Sequence, residues 1–292
     1  MFGNSPPPAG STASNPTFSI LGIWRLGEQL NEPARPQADH QLFLAQPADA
    51  EGSPRWDYIL KTVSSDLAAE ETGALRARRL EAARQLSATV SAAEVNHPNL
   101  IAVLDASLSG QQPFVVMPRL SGQTLQQRCQ TMPELAVPVA LWWTRQIAQA
   151  VAALHAKGWV HGDVKPANVL IDDRGHVTLL DLGFAARVHT PMHRLFRGTP
   201  QYAPPELLQG NTAALPAMDV FSIGRVLWQL LTQTSGYDPL ALEPIAELIE
   251  SMVAEEVDQR PTAAQLVQRL LVLEIETLGG HIIPANANRR VA

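Results

Sequence analysis

The chain has a single cysteine, Cys129, in 292 residues. One thiol cannot close an internal disulfide, so a reducing, cytoplasmic compartment is expected, and Cys129 reads as a small residue in or near a core. Basic residues are not in excess: 22 Lys and Arg stand against 28 Asp and Glu, a formal net charge of −6. That balance speaks against nucleic acid or an anionic membrane as a partner. No run of about 18 apolar residues occurs, so no membrane-spanning helix is expected. The start, Met1-Phe2-Gly3-Asn4, lacks the basic and then apolar pattern of a secretory leader. No internal repeat is visible. Arg76, Arg78, Arg79 and Arg84 form a local basic run that reads as a solvated helix face.

What is present suits one large domain or two lobes sharing a cleft, with 46% hydrophobic residues. Residues 1–17, rich in Pro, Ser, Gly and Asn, read as a disordered segment. A strand is expected over Phe18–Gln29. An irregular stretch, 31–55, follows and holds a short strand, Gln41–Ala45. Tyr58–Val63 is a compact β run, residues 66–93 have helical spacing, and Ile101–Leu104 and Pro113–Met117 read as strands. After Leu120 the texture turns helical. An apolar helix is expected over 137–157, ended by Gly158. Val169–Ile171 and Val177–Leu180 flank the turn Asp172-Asp173-Arg174-Gly175, a hairpin signal. Helices are expected near 203–208, 217–233, 241–254 and 262–273, with a loosely held tail beyond Gly279.

The densest chemistry lies in His161-Gly162-Asp163-Val164-Lys165-Pro166-Ala167-Asn168 and in Asp181-Leu182-Gly183. Phosphoryl transfer asks a protein to position phosphates, neutralise their charge and orient the attacking hydroxyl. Asp163, on a loop entering the hairpin, can accept a hydroxyl proton, and Lys165 can approach the transferring phosphate. Asn168 can ligate Mg²⁺ through its amide oxygen. The hairpin returns Asp181 towards Asn168, and hard oxygen ligands of this kind suit Mg²⁺. His161 is read as a core residue bonded to backbone, not as an acid or base.

These two motifs resemble the catalytic and metal-binding loops of the eukaryotic-type Ser/Thr protein kinases. Further stretches carry the likeness, over roughly residues 20–274: Tyr58-Ile59-Leu60-Lys61, His97-Pro98-Asn99-Leu100, Val115-Val116-Met117-Pro118-Arg119-Leu120, the segment Gly198 to Glu206, Asp219-Val220-Phe221-Ser222-Ile223-Gly224, and Arg260-Pro261-Thr262. The resemblance implies an α+β, bilobal protein-kinase-like fold. Its small antiparallel β-sheet lobe with one helix would span 18–119 and its larger, mainly α-helical lobe 120–277, leaving a tail over 278–292. It also implies ATP and Mg²⁺, with Asp163 and Lys165 catalytic. Lys61 would hold the α- and β-phosphates. Met117 would be the gatekeeper, Leu120 the backbone contact to adenine, and Leu170 a further nucleotide contact. Asn168 and Asp181 would ligate the metal. Asp219 and a Glu206–Arg260 pair would be structural. The degenerate features, with the third strand Trp56-Asp57-Tyr58-Ile59-Leu60-Lys61, look most like divergent bacterial members, and Pro204-Pro205-Glu206 with the Asp219 helix resembles those acting on protein substrates.

The chain departs from that pattern in five places. The glycine-rich loop is missing, and Leu26–Ala34 keeps Gly27 alone beside two acids. Ile59 replaces a small alanine over adenine and should narrow that slot. The glutamate expected to pair with Lys61 falls at Ala88, so Glu81 could serve only if the helix is extended or shifted in register. Gly162 replaces the arginine that reads a phosphorylated activation loop, so phosphorylation of Thr190 is not expected to act as a switch. Leu182 replaces a phenylalanine, a mild change. The expected activity is phosphoryl transfer to Ser/Thr hydroxyls, weak or atypical. The alternatives are a pseudokinase scaffold and, further off, a small-molecule kinase.

Overall fold

The computed structural model describes residues 19–30, 39–50, 55–67, 72–110, 112–132, 134–192, 200–210, 212–234 and 239–282. The readings for 1–17, for Asn31–Ala34 of the loop region, for Gly198-Thr199 and for the tail from 283 onward lie outside the described residues.

The first lobe is a six-stranded antiparallel sheet with one long helix. Its elements are β1 (Ile20–Leu21), β2 (Trp24–Gln29), β3 (His40–Pro47), β4 (Tyr58–Val63), α1 (Gly73–Ala92), β5 (Asp105–Ser107) and β6 (Phe114–Pro118), in sheet order β1-β2-β3-β4-β6-β5. The single strand expected over Phe18–Gln29 is instead a tight hairpin, because Gly22 takes a left-handed φ of 61° and turns the chain back. Ile101–Leu104 is no strand. Its amides at Ile101 and Leu104 donate to Leu179 O and Val116 O, and the ladder starts only at Asp105.

Side chains alternate across the sheet. Leu60 and Val116 face outward with Trp24, Leu26 and Phe114 in one small core. Ile59, Lys61 and Val63 face the other way, and Val63 joins Ala82 and Leu86 of α1 in a second core. The β3–β4 register sets Leu44 opposite Ile59, Leu42 opposite Lys61 and His40 opposite Val63. These three β3 side chains therefore share the face that carries Lys61. Helix α1 begins at Gly73, later than the expected 66, where the Thr72 hydroxyl accepts from Leu75 N at 3.4 Å.

The second lobe contains β7 (Gln123–Thr124), α2 (Leu125–Thr131), α3 (Val137–Ala156), β8 (Trp159–Val160), β9 (Val169–Ile171), β10 (Val177–Leu179), β11 (Ala186–Arg187), α4 (Pro205–Gln209), α5 (Pro216–Leu231), α6 (Pro239–Met252) and α7 (Ala263–Ile282). Its core runs through α3, α5 and α7. Helix α3 is apolar nearly all round because it is enclosed by these neighbours. Helix α7 continues to Ile282, past the expected end near 273 and into the region read as tail. Helix α2 escaped sequence reading because Leu-Gln-Gln-Arg-Cys-Gln-Thr has no apolar period. It is set by a capping box between Thr124 and Gln127 and by its one buried residue, Leu125.

Candidate active site

Asp219 of α5 organises the loop after β8. Its carboxylate, 1% exposed, accepts the backbone N–H groups of His161 and Gly162, each at 2.8 Å, and the His155 ring at 2.8 Å. Burial alone would push this carboxyl up, but the hydrogen bonds from His155 and the Gly162 amide outweigh it and leave the group lowered. His161 is fully buried. Its Nε2 lies 3.0 Å from the carbonyl of Leu180, which can only accept, so Nε2 carries the proton and Nδ1 accepts the amide of Asp163 at 3.2 Å. Both ring nitrogens are spent on backbone.

Asp163, Lys165 and Asn168 form one bonded group. The Lys165 ammonium lies 2.7 Å from Asp163 Oδ2. Asn168 Nδ2 donates at 2.9 Å to both Asp163 Oδ2 and Asp163 O. Its nitrogen is thereby committed, and the amide oxygen is the atom left to meet a cation. The β9–β10 hairpin pairs Val169 with Leu179, and Leu180 N donates to Asn168 O at 2.7 Å. That register brings Asp181 alongside Asn168.

Asp181 sits at a left-handed φ of 55°, and its Oδ1 accepts from Gly183 N at 3.3 Å and from Lys61 Nζ at 2.8 Å. Burial would raise its carboxyl, yet the charge and hydrogen bond of Lys61, with the Gly183 amide, hold it well below the usual carboxylate range. The expectation that Glu81 could reach Lys61 is not met. Lys61 pairs with Asp181, and Glu81 lies 4.0 Å from Arg84 on its own helix. Helix α1 approaches the Asp181–Gly183 loop at Gln85 instead, whose Cβ would be 3.3 Å from a side chain placed on Gly183.

Between the lobes lies a cleft of about 510 Å³. Ile59, Met117, Leu120 and Leu170 give it an apolar end, and Lys61, Asn168 and Asp181 a polar one. Ile59 lines this cleft and is paired across the sheet with Leu44 and Met117. Asp163 and Lys165 stand beside this cleft, not in its lining; Asp163 instead borders a small hollow with Tyr202, Pro204 and Leu207. Glu206 and Arg260 meet in two parallel bonds of 2.7 and 2.9 Å, with the Arg260 side chain fully buried.

Two features were not legible beforehand. A Cβ on Gly27 would lie 2.9 Å from the Trp56 ring, so the glycine makes room for an indole. Among the described residues, Leu30, Asp39, His40 and Leu42 line the roof of the cleft. Burial and the charge of Lys61 push the His40 ring down to about 4, so it is neutral at pH 7. Its Nε2 donates to Ala82 O of α1 at 3.0 Å. The one sequence signal for His40 was its period-two spacing with Leu42 and Leu44.

A family model described as "Protein kinase domain" matches residues 76–272. Its span starts inside α1 and leaves out the strands carrying His40 and Lys61. Similar curated proteins include the serine/threonine-protein kinase PkaA of Streptomyces coelicolor, 33% identical over 216 residues, which is 64% of this chain and 39% of that protein. The serine/threonine-protein kinase PknB of Mycolicibacterium smegmatis is 33% identical over 185 residues, 60% of this chain and 28% of that protein. PknL of Mycobacterium tuberculosis, also a serine/threonine-protein kinase, is 37% identical over 146 residues, 48% and 36% of the two chains. Each match covers less than half of the relative's length.

Proposed function

The chain belongs to the protein kinase family, and from that premise we propose that it transfers the γ-phosphoryl group of ATP to Ser or Thr hydroxyls of proteins. The observation that carries this reading is the bonded group Asp163–Lys165–Asn168 set next to Asp181 and Lys61.

The residues present fit Mg²⁺ and a nucleotide. The Asn168 amide oxygen and the Asp181 carboxylate are the hard oxygen donors that would hold the metal, which supplies charge neutralisation on the phosphates. The apolar end of the cleft suits adenine, with Met117 in β6, Leu120 just past its end and Leu170 in β9. Lys61 would hold the α- and β-phosphates. Asp163 is assigned the proton of the substrate hydroxyl, whose oxygen forms the new bond to phosphorus as the bond to the ADP oxygen breaks. Lys165, tied to Asp163, adds positive charge beside the group in transfer.

The activity is proposed to be weak and atypical, because the described roof presents Leu30, His40 and Leu42 where bare backbone would let phosphates approach. It is also proposed to be independent of activation-loop phosphorylation, because Gly162 carries no guanidinium to read a phosphate. Among the described residues no helix is long and apolar enough to cross a membrane. The single cysteine supports assigning this domain to a reducing, cytoplasmic compartment.

The test is incorporation of label from γ-labelled ATP into a generic basic protein, with Mg²⁺, by the wild type and by Asp163→Asn. Transfer that falls by about 10²–10⁴-fold in Asp163→Asn supports the reading. No transfer by the wild type, together with unchanged nucleotide binding in Asp163→Ala and Asp181→Ala, would instead favour a pseudokinase scaffold.

A further inference from the structure

Helix α1 faces the cleft with no acid where one is needed to meet Lys61. Its inner positions are Ala82, Gln85, Leu86 and Thr89. The Thr89 hydroxyl is spent on Gln85 O of the same helix, at 2.9 Å. Lys61 has turned to Asp181. Yet the rotation and depth of α1 matter to the site, because Gln85 packs directly on Gly183, two residues after Asp181.

Two contacts from the roof strand take hold of the helix. Asp39 Oδ1 lies 2.6 Å from one Arg78 terminal nitrogen and 2.8 Å from Arg78 Nε. His40 Nε2 lies 3.0 Å from Ala82 O. Arg78 and Ala82 are one helical turn apart and so lie on one face of α1. Neighbouring strand residues would point to opposite faces, but Asp39 lies just outside β3 and is free of that alternation, so both residues can reach the same helix. Both also line the cleft, at the end occupied by Lys61 and Asp181.

From these contacts we infer that Asp39 and His40 are positioning residues, which fasten α1 to the roof strand in place of an ion pair between Lys61 and the helix. The inference rests on the phosphotransfer reading, since it assigns the clamp a purpose at the nucleotide site.

The test uses the full chain with Asp39→Asn, His40→Leu and His40→Gln, read by hydrogen–deuterium exchange and by ATP kinetics. Amides of α1 should exchange about 5–10-fold faster in Asp39→Asn and His40→Leu, as expected for losing a partly buried contact. Amides of α3 should be unchanged. His40→Gln keeps a donor and should stay near the wild type. The KM for ATP should rise by about the same factor in the first two variants, with kcat within about twofold. Unchanged α1 exchange in both variants overturns the inference. So does acceleration spread evenly over both lobes, or faster α1 exchange with no change in KM. If the wild type proves inactive, the exchange measurement still decides whether the clamp exists, so failure of the phosphotransfer reading and failure of the clamp remain distinguishable.

Discussion

The ammonium of Lys61 lies 2.8 Å from Asp181 Oδ1 and links the sheet of the first lobe to the loop after β10 in the second. The folded-state pKa of Asp181 lies below its unfolded value of about 3.9. The pairing therefore contributes its full stability above that value and loses it as pH falls through the folded pKa. Lys61→Met should cost about 1–3 kcal/mol at pH 7, between an exposed and a buried ion pair. The gap from the wild type should shrink as the pH drops below about 4. Denaturant titrations at pH 7 and pH 3 check this; an equal gap at both would mean that the pair is not a source of stability.

Asp219→Asn should lower stability by about 2–4 kcal/mol and lower kcat by a larger factor than it raises the KM for ATP. The variant leaves one of the three hydrogen bonds from His155, His161 and Gly162 without a proper acceptor in a buried site. Thermal unfolding and steady-state kinetics measure the two effects. A fully active, fully stable variant would contradict the placement of Asp219 as the anchor of the loop.

Restoring an arginine at Gly162 should harm the protein. The residue has φ of 78°, and a Cβ there would lie 2.8 Å from Phe184 O. Gly162→Arg should cost about 1–3 kcal/mol, visible as a fall in melting temperature. In the same spirit, Thr190→Ala should keep phosphotransfer within about twofold, since Gly162 carries no guanidinium to read a phosphate there. Loss of all activity in Thr190→Ala would sink that expectation.

Gly27→Ala should destabilise the first lobe by about 1–3 kcal/mol through overpacking against Trp56. Its KM for ATP should be unchanged, because Gly27 is not part of the cleft lining. A higher KM with unchanged stability would return Gly27 to the role of a phosphate-loop remnant.

The second lobe was readable because its chemistry is local in sequence. Asp163, Lys165 and Asn168 lie within six residues, and the hairpin that carries Asp181 back to them is marked by Asp172 to Gly175 between two β-branched runs. The first lobe was read less well. Two β-type segments were misplaced: one is bent at Gly22, and in the other the Ile101 and Leu104 amides are taken by Leu179 and Val116. No periodicity encodes either event. The Glu81 assignment failed for a related reason: spacing along α1 says which residues share a face, but not which strand that face meets.

The amino-acid order alone marked a β-rich first part, a helical second part and the dense polar loop 161–168, since turn chemistry, hydrophobic period and short spacings act over a few residues. Packing settled everything that joins segments far apart in the chain: Asp181 as the partner of Lys61, 120 residues away, Trp56 as the reason for Gly27, and Asp39 and His40 as the hold on α1. Each depends on how deeply the helix and strands seat against one another. That depth follows from the summed burial of Val63, Ala82 and Leu86 and not from any single motif.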